Sequence, residues 1–271
     1  MLVEIPRSGS EYPRAFQSPA PFDAVHRSIS MYVEELWEGC VEAGATWLFA
    51  CFPNAWIDAN RNELDIDPDL LAGPWPGELR PTEKSRLGIG LIHRVCGTGD
   101  VPLHGRRLGP EEVRERLDGY YWPYHREVAA ILELRRREFG VAYHVSCHSM
   151  ASVGGAATLD RGTRRSDFDI GDGHGKTCEP EAVALVAETL RGFGHEVTVN
   201  RHYAGAECIH KHARPSHGIH SMQIEINRGL YMDEDRFVRR PVFAELQQQL
   251  RAVSAALAAH AREKAASGGT A

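Results

Sequence analysis

Hydrophobic positions change period several times along the chain, and each change marks an element. Leu2 to Ile5 is a short apolar run, and Thr46 to Phe52 (TWLFACF) is a longer one ended by Pro53, which suits a strand covered on both faces. Between them Ile29, Val33, Leu36 and Cys40 recur at helical spacing behind Asp23, so the pattern predicts one helix from Asp23 to about Cys40. Tyr124 to Phe139 predicts a helix with Pro123 near its first turn and Gly140 just past its end. Val141 to His148, Glu196 to Asn200 and Ile219 to Asn227 predict strands, and Glu179 to Phe193 a helix. After Phe243, the residues Leu246, Leu250, Val253 and Leu257 step by three and four, so a closing helix lays one apolar stripe on the body. This alternation predicts an α/β sandwich with a largely parallel or mixed sheet. A single domain is expected over residues 1–264, with the linker-like 265–271 (AASGGTA) as a disordered tail.

In sheets of this kind ligands bind beyond the carboxyl ends of the strands. The informative segments are therefore Pro6-Arg7-Ser8-Gly9, Pro53-Asn54, Cys147-His148-Ser149-Met150 and Asn200 to Tyr203. Gln223 and Glu225 lie two apart on a strand and share a face, while Ile224 and Ile226 take the other. A carboxylate among strong strand formers is costly to bury unless it is paired or working, which makes Glu225 a candidate general base or a partner of Arg61 or Arg228. His148 closes an apolar strand, as a metal ligand, a general base or a structural imidazole would. In Ile57-Asp58-Ala59-Asn60-Arg61 a carboxylate, an amide and a guanidinium fall together, and arginine suits two parallel hydrogen bonds to a substrate carboxylate. His125, at a helix start, is placed to lean over a crevice. Asp169 to Gly173 reads as a flexible loop that needs close backbone approach. Cys147 and His148 point to opposite faces of a strand, a poor arrangement for nucleophile and base.

Composition narrows the function. The chain has 271 residues with 37 acidic against 31 basic, a formal charge of -6, which argues against nucleic acid or an anionic membrane as the main partner. No run approaches the roughly 18 to 20 apolar residues of a membrane span. The opening MLVEIPRSGSEYP lacks a basic stretch followed by an apolar one, so a cytoplasmic protein is expected. Six cysteines without a C-x-x-C pair are expected as thiols rather than as a zinc knot. Among 14 histidines, His202, His210, His212, His217 and His220 cluster late. No G-x-S-x-G elbow, phosphate loop or G-x-G-x-x-G occurs, which takes most of the support from serine hydrolase, P-loop and dinucleotide assignments.

Taken in order, Ile57-Asp58-Ala59-Asn60-Arg61, Arg86-Leu87-Gly88, Pro123-Tyr124-His125, Cys147-His148-Ser149-Met150, Asp169-Ile170-Gly171-Asp172, Arg214-Pro215 and the run from Gln223 to Glu234 resemble the N-formylglutamate amidohydrolase family. The resemblance spans Pro6 to about Glu234. It implies a zinc-peptidase-like three-layer α/β/α fold and hydrolysis of N-formylglutamate to formate and glutamate, a late step in histidine breakdown. It further implies a zinc-activated water, with His148 as a metal ligand, Glu225 as the general base, and Arg61 and Arg86 as clamps on a small carboxylate substrate, while His125 is expected as a second catalytic residue and Asn60 and Arg7 as further substrate-binding residues. The departures fall on the metal corner. Arg7 stands where the family carries a histidine in Pro-His-x-Gly, Ile29-Ser30 where an acidic pair is usual, Ser146 where an aspartate precedes Cys-His-Ser-Met, and Asn54 where an arginine follows Pro53. A guanidinium has no lone pair to give zinc. Two expectations follow: an amidohydrolase of N-formyl or N-acyl amino acids with a remodelled site, or a metal-free relative in which Arg7 binds a small carboxylate or serves another reaction.

Overall fold

A computed structural model describes residues 1–96, 101–155 and 160–268. Its centre is a six-stranded sheet. Strands β1 (Leu2–Ile5), β2 (Thr46–Phe49), β3 (Ala142–Met150), β4 (Phe168–Gly171), β5 (Val197–Val199) and β6 (Ile219–Asn227) run in the order β2-β1-β3-β6-β4-β5. The first four in that order are mutually parallel, and β4 joins β6 antiparallel with β5 parallel to it, so the sheet is mixed and largely parallel as expected.

Alternation along the central strands separates two faces. Val3, Ile5, Tyr143, Val145, Cys147, Phe168, Ile170, Met222, Ile224 and Ile226 form one apolar face. Three helices cover it, α1 (Val33–Trp37), α3 (Pro180–Gly192) and α5 (Phe243–Gly268), with Leu246, Leu250, Val253 and Leu257 of α5 in the core. The opposite face carries Glu4, His144, Ser146, His148, Asp169, Ser221, Gln223 and Glu225, all buried. Over it lie α2 (Trp122–Phe139), which seats Tyr124, Val128 and Leu132 on Leu2, Ala142 and Ile219, and α4 (Glu207–His212). A long excursion between β2 and α2 completes this layer around its own apolar cluster, which includes Trp56, Ile57, Ile66, Leu91, Ile92 and Tyr121. Helices on both faces give the α/β sandwich that the alternation predicts and the three α/β/α layers that the resemblance implies.

The structure differs from the sequence expectations at four places. The single helix expected from Asp23 to Cys40 is broken into Phe22–His26, α1 and a tight turn over Glu38–Ala43. The Ser28 hydroxyl back-bonds to the Val25 carbonyl at 2.6 Å, the Ser30 N–H donates to the Arg7 carbonyl at 2.7 Å, and Tyr32 adopts a left-handed φ of 67°, so the helical ladder is diverted at each step. The strand expected to reach Phe52 stops at Phe49. Phe168–Gly171 is a strand rather than a flexible loop. The tail expected to be disordered from residue 265 is helical to Gly268, its alanines continuing α5, and 269–271 lie outside the described residues. All six cysteines are free, as expected, and all but Cys51 are buried. Among the described residues no helix is long and apolar enough to cross a membrane.

The close backbone approach expected near Gly171 is present. A Cβ there would lie 2.6 Å from the backbone of Ala204 and Gly205. Gly171→Ala is therefore expected to lower unfolding stability by about 1–3 kcal/mol through overpacking. Gly192, at the exposed end of α3 with open space around it, provides the contrast. Gly192→Ala should be neutral or stabilising by up to about 1 kcal/mol. Urea unfolding of both variants checks the pair.

Candidate active site

The polar face acquires its geometry from strand register. Parallel pairing of β3 with β6 sets His148 beside Glu225 and Ser146 beside Gln223, and antiparallel pairing of β4 sets Asp169 on the other side of Glu225. His148 and Glu225 are thus cross-strand neighbours, only 1% and 6% exposed.

A turn in the excursion delivers the next group. The Asp58 carboxylate accepts the Asn60 N–H at 3.0 Å, and the Asp58 carbonyl accepts the Arg61 N–H at 3.1 Å, closing a tight Asx-type turn. Asn60 is driven down onto the sheet. Its Oδ1 accepts the Cys208 N–H at 2.9 Å at the start of α4, which fixes the amide orientation and leaves Nδ2 to donate to His148 Nε2 at 3.2 Å and to Gln223 Oε1 at 3.3 Å. Gln223 Nε2 in turn donates to Glu225 Oε1 at 2.9 Å, and Gln223 Oε1 also accepts the Ala206 N–H. Because an amide NH2 only donates, His148 Nε2 must accept, so the imidazole is neutral with its proton on Nδ1. Burial pushes the His148 pKa down to about 3, and the Arg7 charge acts in the same direction.

Glu225 is shifted the other way. Burial pushes its pKa up to about 7, opposed by Arg7, supported by the negative charge of Asp169, and opposed again by Arg165 and Arg228. Asp169 is bound by the N–H groups of Arg201, His202 and Tyr203 and by the Thr198 hydroxyl.

Cations line the outer edge. Arg7, on the loop leaving β1, meets the fully buried Asp58 carboxylate at 3.3 Å, and His93 Nε2 reaches the same oxygen at 3.2 Å. Burial alone would raise the Asp58 pKa, but Arg7, Arg61 and His93 together hold it well below the ordinary carboxylate range. Arg61 folds back to donate to the carbonyls of Ile89 and Asn60. Arg165, missed in the sequence, is 3% exposed, grips Asp160 with two nitrogens at 2.7 and 2.8 Å and lies over the Tyr203 ring. Lys84, also missed, has its pKa lowered by burial and then by the charge of Arg61, with Glu83 opposing and Arg7 and Arg165 adding to the fall.

Arg7, Asn60, Arg61, His148 and Glu225 are therefore brought together. His125 stands one layer behind: its Nε2 donates to the Ala59 carbonyl and its Nδ1 accepts from His212 Nε2, both at 2.9 Å, so it braces the turn that carries Asn60. Arg86 ends the helical turn Glu83–Arg86 with its side chain exposed, and the cation of that turn that senses the site is Lys84.

The donor set does not fit a zinc site of three protein ligands. Among the described residues no three histidine, cysteine or carboxylate side chains converge to hold a metal ion. The Nε2 lone pair of His148 is engaged by Asn60, with the Ser146 hydroxyl 3.0 Å from the same nitrogen. Other donors in reach of this layer are committed elsewhere: His144 to Ser221 and Glu4, His212 to His125, and His202 to Asp160. Cys147 lies on the opposite face with its thiol pKa pushed well above the ordinary value by burial.

Comparison with known proteins agrees with this architecture. Residues 1–232 match the N-formylglutamate amidohydrolase family. The chain is 28% identical over 263 residues to the N-formylglutamate deformylase of Pseudomonas aeruginosa, covering 93% of this chain and 89% of that protein. It is 27% identical over 244 residues to the N-formylglutamate deformylase of Pseudomonas putida, covering 86% and 82%. The crystal structure of an N-formylglutamate amidohydrolase from Ralstonia eutropha JMP134 superposes with a TM-score of 0.90 at 36% identity, covering 97% of this chain and 94% of that one. A more distant Agrobacterium tumefaciens protein, at 18% identity and a TM-score of 0.61, shares the fold alone. With the family match over residues 1–232 and a 36% identical structure that superposes over 97% of it, the chain belongs to the N-formylglutamate amidohydrolase family.

Proposed function

We propose that the chain hydrolyses the formyl or acyl amide of an N-acylated amino acid, with N-formylglutamate as the first substrate to test. The single observation that carries this reading is Glu225: a carboxyl buried beside His148 by strand pairing, whose pKa burial pushes up to about 7 against the opposing charges of Arg7, Arg165 and Arg228. A group titrating near working pH is well matched to taking a proton from water and returning it to a leaving amine. Gln223 aims that carboxylate through Oε1, and Asn60 aims Gln223. Arg7, Arg61 and Lys84 supply the positive edge that the carboxylates of a dicarboxylic amino acid require, and Arg61 presents the more rigid fork because two carbonyls hold it. His125 supports the site from behind. The cytoplasm, where such amino acids are turned over, is the compartment proposed. No membrane or nucleic-acid partner enters the reading.

Formate release from N-formyl-L-glutamate, compared with neutral N-formyl amino acids, tests it. Turnover with preference for the acidic substrate is expected. Glu225→Gln should lower kcat by about 10²–10⁴-fold while leaving KM within a small factor, since the amide keeps the shape and removes the base. In the wild type kcat/KM should rise with pH on a limb near pH 7, reporting ionisation of the same group.

The same carboxyl makes a separate stability prediction. Its folded pKa of about 7 lies above its ordinary 4.5, so the unfolded chain gives up this proton first as pH rises. Wild-type stability should therefore fall between about pH 4.5 and about pH 7, by up to roughly 3 kcal/mol from this group. Glu225→Gln should abolish that fall. Its stability relative to wild type should thus be greater near pH 8 than near pH 5, as roughly pH-matched urea titrations would measure.

A further inference from the structure

We propose that the Arg7 guanidinium is the group that stabilises the oxyanion formed during amide hydrolysis here, and that this site works without a bound metal. The proposal rests on the hydrolase reading above and adds the identity of its electrophile.

Placement is the first ground. β1 pairs in parallel with β3, with Glu4 opposite Ser146, so the loop that follows β1 leaves over the end of the sheet where His148 follows Ser146 and Glu225 lies across from it. Arg7 is held there by the ion pair to buried Asp58 and by the Ser30 N–H on its carbonyl. Its side chain is 23% exposed, and its Nε is buried without a hydrogen-bond partner among the described residues, so the fork is anchored on one side and retains donors. Arg7 is also the strongest single charge felt by both His148 and Glu225.

Donor chemistry is the second ground. Three lone-pair donors are not assembled among the described residues, and the His148 nitrogen that faces the site is already an acceptor for Asn60. A cation brought here would sit against Arg7 and Arg61, whereas an oxyanion would be drawn to them.

The reaction balances without a further reagent. The water oxygen bonds to the acyl carbon while one water proton passes to Glu225, and the carbonyl π pair moves to oxygen beside Arg7. Collapse re-forms the C=O, breaks the C–N bond, and the nitrogen takes the proton back from Glu225. The products are a carboxylic acid and a free amine, which ionise in water to formate and the amino acid. A fixed donor that meets the developing oxyanion typically contributes about 10²–10³-fold to kcat.

The test uses full-length protein stripped with a chelator. Turnover should persist in chelator and should not rise on adding zinc, and zinc should give no stoichiometric binding in isothermal titration. Arg7→Ala should lose about 10²–10³-fold in kcat, with Arg7→Lys retaining part of it because the charge stays and the fork is lost. Titration with N-(phosphonomethyl)-L-glutamate, a stable tetrahedral anion, should weaken by at least about tenfold in Arg7→Ala. Thermal melting identifies a variant that fails to fold, and Arg7→Lys then carries the comparison. Stoichiometric zinc with zinc-restored turnover, or an Arg7→Ala kcat equal to wild type, would overturn the proposal. Absence of turnover with every N-acyl amino acid would sink the hydrolase reading instead, and the zinc and phosphonate titrations would still decide what Arg7 attracts.

Discussion

A sheet face that is buried and polar must satisfy itself by hydrogen bonds, and this constraint organises the molecule. Leaving one such donor or acceptor unmet costs on the order of 1–3 kcal/mol, and this face buries Glu4, His144, Ser146, His148, Asp169, Ser221, Gln223 and Glu225 together. The solution is a connected chain with fixed directions. The backbone at the start of α4 orients Asn60, Asn60 orients both His148 and Gln223, and Gln223 orients Glu225. Neither the excursion after β2 nor α4 can move independently without breaking a buried bond. The long insertion is thus a structural component of the site, although it contributes no strand to the sheet.

The apolar face imposes the complementary requirement. Helices α1, α3 and α5 are packed there because Val3, Val145, Ile170 and Ile224 demand cover, and their packing stiffens the strands whose other side carries the chemistry. The same alternation keeps Cys147 away from His148. A thiol buried in that apolar layer stays protonated, so the adjacent pair in the sequence never becomes a working pair in space.

This division explains what could be read from the sequence. Periodicity gave Ile219–Asn227 to the residue and α5 from its first turn, because apolar side chains alternate with polar ones along the strand and step by three and four along the helix. The helix through Ser28 and Ser30 was misjudged because hydroxyl back-bonding and a tertiary bond to Arg7 override its apolar spacing. Phe168–Gly171 was hidden by its brevity and by Asp169, whose partners come from distant backbone N–H groups. Arg165 was hidden with it, since it stands just ahead of a strand that was not recognised. Lys84 carried no local signal, and Arg86 beside it drew attention only through resemblance. Asn60 was legible as a site residue, but its tie to Cys208 joins residues 148 positions apart, which no spacing reveals.

Three of the buried carboxylates around this layer, Glu4, Asp58 and Glu225, meet different fates, and those fates assign their roles. Burial raises the pKa of each. For Glu4 the hydrogen bond to His144 reverses the effect, and for Asp58 the reversal comes from Arg7, Arg61 and His93. Both are left ionised and structural, each holding a cation or an imidazole in place. Glu225 has a neutral amide as its hydrogen-bond donor and a second carboxylate, Asp169, across the strand, so its partners do not undo the cost of burial. Of the three, it alone changes protonation near neutral pH, and a proton-transfer role therefore falls to it by environment rather than by residue type.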